Sequence, residues 1–170
     1  MRTFRHFFIA SLALVLFGCG PSWKEHRSRG GPFFLKAPEG WSEQRELVNL
    51  GELQLSDSAH ERYFTLVSEE RKDLRNKTLE RYSRFTRESV TGGLIHPETV
   101  GPKELKIGGL NALQYEITGK VEDRYFSYLH TIVEGREHFH QLIGWTPTDK
   151  KKENWPFLVK ITDSFREKNP

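Results

Sequence analysis

The chain has 170 residues, with 26 Lys and Arg against 23 Asp and Glu, and a formal net charge of +3. This length indicates one domain with a core large enough to fold without covalent cross-links. Because the chain contains a single cysteine, an intramolecular disulfide and a cysteine-rich zinc site are both excluded.

The first eighteen residues are typical of a secretory signal peptide. Arg2 and Arg5 precede an apolar run over residues 7–17, which is too short to span a bilayer. The sequence Leu16-Phe17-Gly18-Cys19 resembles a bacterial lipobox, in which the chain is cut before the cysteine and that cysteine is acylated. The resemblance implies lipidation at Cys19 and stable anchoring by two or three acyl chains. The alternative is an ordinary secretory peptide with an incidental cysteine.

Cleavage before Cys19 would also change the charge and the expected location. Residues 1–18 contain two arginines and no acid, so the formal charge of +3 would fall by two. A nucleic-acid partner is therefore not expected. By resemblance to lipoproteins of two-membrane bacteria, Gly20 after the cysteine implies the outer membrane, with the protein facing the periplasm. Residues 19–31 are predicted to be the lipidated cysteine and a flexible tether, and residues 32–170 the folded domain.

Three strands and a helix are predicted in the first half of the domain. The strands are a short run at Phe33–Leu35, a weak one through Leu50, Leu53 and Leu55, and a stronger one at Arg62–Ser68. A helix is predicted over Asp73–Val90, capped by Asp73 and stopped by Gly92 and Gly93. Its apolar residues fall on one side, and Lys77, Arg81 and Arg84 form a basic stripe on the other.

In the second half of the domain the apolar residues first recur with a period of two, which is typical of strands, and then with the spacing of a helix. Four strands are predicted at Val100–Ile107, Leu110–Lys120, Arg124–Val133 and His138–Trp145. The closing helix follows from the spacing of Trp155, Leu158, Val159, Thr162 and Phe165. Pro156 is placed in its first turn, with Asn154 as a possible cap and residues 148–153 as a separate leading turn. The predicted class is α+β, an antiparallel sheet of about six to seven strands packed against two main helices.

Several of these segments resemble the Mog1/PsbP-like superfamily, including its bacterial DcrB-type lipoproteins. The resemblance is carried by residues 37–41 (APEGW), 107–116 (IGGLNALQYE), 141–146 (QLIGWT) and 162–166 (TDSFR), and spans about Phe33 to Glu167. Members of that superfamily are binding or accessory subunits, so the resemblance implies a non-enzymatic role. It carries over no partner-binding residue and implies no cofactor.

The histidines of the last hairpin are the best candidates for a metal site. His138 and His140 share one strand face, and His130 lies across the hairpin. With a two-residue turn at Gly135-Arg136, His130 lies on the opposite face of the hairpin from the other two histidines, and the face that carries His130 is strongly apolar. With a three-residue turn, all three histidines share one face, but the apolar face is poorer. The first register is favoured, which leaves two exposed strand histidines and no metal site.

The basic stripe Lys77, Arg81 and Arg84 is the candidate partner-binding surface, although a solvated helix face has the same pattern. The chain contains no hydrolase, nucleotide-binding or zinc-protease motif, so an enzyme is the third hypothesis. The leading one is a membrane-anchored envelope lipoprotein whose domain binds an envelope protein. A module that binds a small molecule or an ion in the envelope is the alternative.

Overall fold

The computed structural model describes residues 21–45, 47, 51–74 and 78–168. The predicted signal peptide, Cys19 and Lys77 lie outside these residues. The strands are β1 Trp23–Arg27, β2 Phe33–Pro38, β3 Ser42–Gln44, β4 Leu53–Asp57, β5 Arg62–Glu70, β6 Ile95–Ile107, β7 Leu110–Val121, β8 Arg124–Glu134, β9 His138–Pro147 and β10 Arg166–Glu167. The helices are α1 Leu79–Thr91 and α2 Lys151–Asp163, with short 3₁₀-helices at Ser58–His60, Arg71–Leu74 and Thr148–Lys150.

Two antiparallel sheets form the frame of the domain. The large sheet has seven strands in the order β3-β4-β5-β9-β8-β7-β6, and the small sheet has the order β1-β2-β10. Strands β6 to β9 follow one another as hairpins, as short connections require. The predicted α+β class and the predicted strand number of the main sheet are confirmed.

The large sheet is covered on both faces. Ile132 of β8 packs under α1, whereas its neighbours Leu129 and Val133 point to α2 and the small sheet. The core under α1 consists of Leu79, Tyr82, Leu113, Tyr115, Ile117, Ile132 and Phe139. The other core includes Phe33, Leu35, Leu55, Phe64, Leu66, Leu129, Val133, Leu142, Leu158, Ile161 and Phe165. Within the described ranges, neither α-helix is long and apolar enough to cross a membrane.

The prediction of a flexible tether is wrong for residues Trp23–Arg27. These residues form β1 and pair with β2, with Trp23 opposite Pro38 and Arg27 opposite Phe34. The strand was missed because it is an outer strand with mostly exposed, charged side chains and no clear alternation. The folded unit therefore starts close to Trp23 and not at Pro32.

Helix α1 starts later than predicted. Thr78 is its N-cap, with Oγ1 accepting a hydrogen bond from the backbone N–H of Arg81 at 3.4 Å. The predicted cap Asp73 lies instead in the 3₁₀-helix Arg71–Leu74. Both residue types cap helices, so the sequence pattern alone could not choose between them. The predicted stop is confirmed, because the N–H of Gly92 donates to the carbonyl of Glu88 at 2.9 Å.

Helix α2 starts earlier than predicted and contains Pro156 in its interior. The helix begins at Lys151, five residues before the proline. Asn154 is not a cap but a buried side chain whose Nδ2 donates to the carbonyl of His60 at 2.9 Å and to Oγ1 of Thr146 at 2.8 Å. These tertiary contacts hold the first turn in helical form despite the proline.

The β8–β9 hairpin has a longer loop than the predicted two-residue turn. The pairs run from Glu134↔Phe139 to Phe126↔Pro147, so Gly135, Arg136 and Glu137 form the loop, while His138 is already part of β9 and pairs with Glu70 of β5. Other elements hold this loop, since the N–H of Arg71 donates to the carbonyl of Glu137 at 2.8 Å. The shift is by two residues, so each side chain keeps its predicted face.

Candidate functional site

The outer surface of α1 carries two of the three residues of the predicted basic stripe. Arg81 and Arg84 are exposed, and neither forms an ion pair with an acid in the described part of the chain. Phe85 lies beside them with 53% of its surface exposed. The third member, Lys77, falls outside the described residues. The arrangement offers two guanidinium groups and an aromatic ring on one surface, which suits an acidic partner.

Hydroxyl groups fix the inner side of α1 to the sheet. Ser83 Oγ lies 3.1 Å from the hydroxyl of Tyr115 on β7, and the hydroxyl of Tyr82 accepts a hydrogen bond from Nε2 of Gln141 on β9 at 3.1 Å. The side chains of Ser83, Tyr82 and Tyr115 are buried. These contacts set the rotation of the helix, so that Arg81 and Arg84 point away from the sheet.

Strand β6 is the exposed edge of the large sheet beside α1. It pairs with β7 on one side, and residues 95–104 are all exposed. Ile95 is 51% and Val100 71% exposed, although apolar side chains are usually placed inside. Pro97, Pro102 and two irregularities in the β6–β7 register limit uncontrolled pairing at this edge.

A cleft of about 640 Å³ separates α1 from β6. Its floor is β7, where the guanidinium of Arg87 lies 5.3 Å from the centre of the Tyr115 ring. Its charged lining residues are Arg84, Arg87, Lys106, Glu80, Glu104 and Glu134. Positive and negative groups are therefore balanced in the cleft, whereas Arg81, Arg84 and the exposed Glu88 give the outer surface of α1 a small positive excess.

His130 is completely buried under the α1 side of the sheet. Among the residues that the structure describes, neither ring nitrogen has a hydrogen-bond partner, although the amide of Gln141 lies near the ring. Burial lowers the pKa of His130 to about 4, with a further contribution from the charge of Arg87. The ring is therefore neutral at pH 7 and acts as part of the core.

The two other histidines of the hairpin lie on the opposite face of the sheet, as predicted, but they are not both exposed. His140 is fully buried and His138 is half-buried, and Phe33 of β2 packs edge-on against both rings at 4.5 and 5.1 Å. The expectation of two exposed strand histidines is wrong for His140. The reason is the small sheet, which covers this part of β9 and includes the unpredicted strands β1 and β10.

The partners of His140 define its protonation. Nδ1 lies 2.9 Å from Oγ of Ser68, and Nε2 lies 2.7 Å from Oε1 of Glu167. Burial lowers the pKa of His140. Burial also acts to raise the pKa of Glu167, but the hydrogen bonds from His140 and from the backbone N–H of Arg136, together with the charges of His140 and His138, lower that pKa below its usual range. The ionised Glu167 can only accept, so Nε2 donates to it and Nδ1 accepts from Ser68.

Of this serine, histidine and glutamate set, only Glu167 borders the neighbouring cleft. The cleft is lined by Pro32, Phe33, Arg136, Glu137, His138, Glu167 and Lys168, and includes neither Ser68 nor His140. Among the described residues, no group of three or more His, Cys, Asp and Glu side chains has an arrangement that could hold a metal ion. The three groups instead join β5, β9 and β10.

The edge strand and the cleft were not predicted as parts of a site. The segment 95–103 does carry a signal, because it contains the prolines Pro97 and Pro102 and the charged residues Glu98 and Lys103 close to Ile95 and Val100. Prolines and charges in a β pattern are typical of an edge strand. The position of this edge next to the basic stripe follows only from the strand order.

No known family model matches this chain, and neither does any curated protein sequence. Solved structures do match over most of its length. The PsbP protein CyanoP from Synechocystis sp. PCC 6803 has a TM-score of 0.67 at 16% identity, covering 89% of this chain and 96% of that one. LpqN, involved in cell envelope biogenesis of Mycobacterium tuberculosis, has a TM-score of 0.63 at 12% identity, covering 86% and 92%. The Ran-binding protein Mog1p of Saccharomyces cerevisiae has a TM-score of 0.59 at 11% identity, covering 87% and 96%. The domain therefore has a Mog1/PsbP-like fold, which confirms the predicted resemblance at the level of fold.

Proposed function

We propose that this chain is an envelope lipoprotein, acylated at Cys19 and held at the outer membrane on the periplasmic side, whose domain binds a protein partner. The binding surface is the α1–β6 face, defined as Arg81, Arg84 and Phe85 together with the exposed residues 95–104 of β6. The domain acts as an accessory subunit and carries no chemistry of its own. The position of the open edge of β6 beside two exposed arginines, Arg81 and Arg84, which form no ion pair with any acid that the structure describes, is the observation that carries the proposal.

Two kinds of contact are available on the α1–β6 face. An extended segment of the partner can add to β6 through backbone hydrogen bonds, with Val100 and Ile95 as exposed apolar contacts. Carboxylates of the partner can pair with Arg81 and Arg84, whose guanidinium groups favour two-point hydrogen bonding. Pro97, Pro102 and the two register irregularities restrict which segments can add to this edge, and the charged contact adds further specificity.

The solved structures support an accessory role without identifying a partner. Mog1p is described as a Ran-binding protein, and LpqN as involved in cell envelope biogenesis. Both descriptions belong to those proteins. They support the proposal because the same fold is used there for binding and in an envelope.

The polar set around His140, in which the histidine is fully buried and Ser68 and Glu167 are half-buried, has no opening at its serine that would suit catalysis. A nucleophilic serine needs access to its substrate as well as a base within hydrogen-bond distance. The hydroxyl of Ser68 lies 2.9 Å from Nδ1 of His140, a possible base, but the adjacent cleft does not reach Ser68. We therefore assign Ser68, His140 and Glu167 to holding the two sheets together.

A second candidate function is the binding of a small molecule in the cleft between α1 and β6. Its volume of about 640 Å³ is in the range of small-molecule sites, and the buried hydroxyl pair of Ser83 and Tyr115 borders it. A thermal-shift screen against metabolites and metal ions tests this alternative. A reproducible rise in melting temperature that is lost in Leu113→Trp, which fills the floor, would favour it.

The main proposal is tested by chemical cross-linking in cells followed by mass spectrometry. The wild-type chain, Cys19→Ser and the double variant Arg81→Glu with Arg84→Glu are compared, with Arg136→Glu in the exposed β8–β9 loop as the matched charge control. We expect one protein to be captured by the wild type and the control and lost from the double variant. Capture that is unchanged in the double variant would contradict the assignment of the face. Partners that persist in Cys19→Ser show that the domain itself recognises them.

A further inference from the structure

The outward side of α2 forms a second exposed surface, on the opposite side of the large sheet from α1. This α2 outer face consists of Lys152, Trp155, Pro156, Val159, Lys160 and Asp163, which border one shallow and mostly apolar depression. The other side of the helix buries Asn154, Leu158, Ile161 and Thr162. The helix thus has an apolar side for the core and a second, partly apolar side that no described element covers.

The α2 outer face lies next to the point where the chain enters the fold. The Nζ atom of Lys160 lies 4.2 Å from the centre of the Trp23 ring, and Trp23 is the first residue of β1. Only three residues lie between Cys19 and Trp23, so the two Cα atoms are four steps along the chain and at most about 14 Å apart. An acyl group on Cys19 would therefore hold this end of the domain against the bilayer.

The chemistry of the α2 outer face suits the boundary between lipid and water. Lys151 is paired with Glu116 at 2.7 Å and lies 4.5 Å above the Trp155 ring, whereas Lys152 and Lys160 form no ion pair with a described acid. Asp163 is the one acid among the residues of the face. Tryptophan is enriched at the level of lipid headgroups, and lysines near anionic lipids favour binding.

We propose that the α2 outer face docks on the surface of a bilayer containing anionic phospholipid, with Trp155 and Val159 at headgroup level and Lys152 and Lys160 near lipid phosphates. This docking rests on the proposed function, because it requires the acyl anchor at Cys19. It sets the orientation of the domain, since α1 and the α1–β6 face then point away from the membrane toward the periplasm.

A spin label reports this orientation directly. Acylation consumes the thiol of Cys19, so one introduced cysteine is a unique labelling site. Pro156→Cys places the label on the α2 outer face, and Ser89→Cys on exposed α1 is the matched control. The lipidated chain is reconstituted in vesicles of phosphatidylethanolamine and phosphatidylglycerol. We expect label 156 to be protected from a water-soluble nickel relaxation agent and label 89 to remain accessible. Equal accessibility of both labels on the vesicle-bound chain would overturn the docking.

Charge variants and the lipid composition test the role of the lysines. Each lysine near an anionic surface favours the docked state by about fivefold, so Lys152→Gln with Lys160→Gln should lower the ratio of docked to undocked chain about 25-fold. Arg81→Gln with Arg84→Gln on the other side should leave protection of label 156 unchanged. Protection that is the same on pure phosphatidylcholine would overturn the electrostatic contribution.

Two further readouts separate this proposal from its alternatives. Mass spectrometry of the N-terminal residue measures acylation independently, and an unacylated chain overturns the anchor and the docking together. An acylated chain whose label 156 stays in water overturns the docking alone. Spin–spin broadening between labels at 156 would show that a second copy covers the face, and would overturn the membrane as its occupant.

Discussion

The Nε2 atom of His140 lies 2.7 Å from Oε1 of Glu167, and this hydrogen bond joins β9 of the large sheet to β10 of the small sheet. The backbone N–H of Arg136 donates to the other carboxylate oxygen of Glu167 at 3.3 Å. The last strand of the fold is only two residues long, so these side-chain contacts contribute much of its attachment. They also explain why a histidine can be completely buried at this position.

Removal of the Glu167 carboxylate should destabilise the domain. Glu167→Ala leaves the Nε2–H of buried His140 without an acceptor, which costs about 2 kcal/mol of unfolding free energy. The measurement is chemical denaturation at pH 7, and Glu137→Ala in the exposed loop is the control, expected to change stability by less than about 0.5 kcal/mol. A loss that is equally small in both variants would show that the His140 contact does not stabilise the fold.

Acidification should destabilise the domain through His130. Its pKa is lowered from the ordinary 6.5 to about 4, so between these values the unfolded chain binds a proton that the folded chain does not. Stability therefore falls as the pH drops from about 6.5 to about 4, by roughly 3 kcal/mol in total. The lowered pKa values of His140 and Glu167 act in the same direction.

The contribution of His130 can be isolated by substitution. His130→Leu removes a buried ring with two unpartnered nitrogens, so the dependence of unfolding free energy on pH should become shallower without a loss of stability at pH 7. The control is His96→Asn, since His96 is exposed and asparagine tolerates its positive φ of 50°. An unchanged pH dependence in His130→Leu would contradict the assignment.

The contact between α2 and the sheet should show strong coupling between Leu158 and Gly144. A Cβ atom added at Gly144 would lie 3.1 Å from Cδ2 of Leu158 and 3.2 Å from Cδ2 of Phe64. Gly144→Ala should cost about 1–3 kcal/mol by overpacking, and Leu158→Ala about 2–5 kcal/mol by leaving a cavity. The double variant should be more stable than the sum of the two losses predicts. Additive losses in denaturation experiments would mean that the two sites do not share this space.

Replacement of Pro156 should stabilise α2. Pro156→Ala restores a helix N–H and removes an exposed ring, so no buried packing is lost. The interior proline costs about 3 kcal/mol relative to alanine, and the greater freedom of the unfolded variant returns up to about 1 kcal/mol. We expect a net gain of about 2 kcal/mol by thermal or chemical denaturation, with Lys152→Ala as a neutral control. A lower melting temperature of the proline variant would contradict this account.

The sequence predicted the elements that have a strong period, and missed those that depend on tertiary contacts. Arg62–Ser68 could be predicted because it is rich in aromatic and β-branched residues, and the four strands before α2 because they follow a period of two. Strands β1 and β10 could not, because they are short, lack a clear apolar pattern and are held by pairing with β2. The choice between Thr78 and Asp73 as helix cap required the three-dimensional structure for the same reason.

The candidate site also contains some features that the sequence predicts and others that require the tertiary structure. Arg81 and Arg84 were predicted on the outer side of a helix, and they are found there. The burial of His140 could not be predicted, because it depends on contacts across more than a hundred residues to Phe33. The open edge of β6 required the strand order of the sheet. Lipidation at Cys19 stays a prediction, since that residue lies outside the described part of the chain.

The most direct test of the central claim is site-specific photo-cross-linking in intact cells. A photoreactive residue is placed at Val100, which is 71% exposed on β6. In a second strain it is placed at Glu39, an exposed residue of the turn after β2, on the opposite side of the large sheet from α1. The account predicts one dominant cross-linked protein from position 100, absent from position 39 and lost when Arg81→Glu and Arg84→Glu are added. Equal products from both positions, or a product at position 100 that persists in the charge variant, would contradict it.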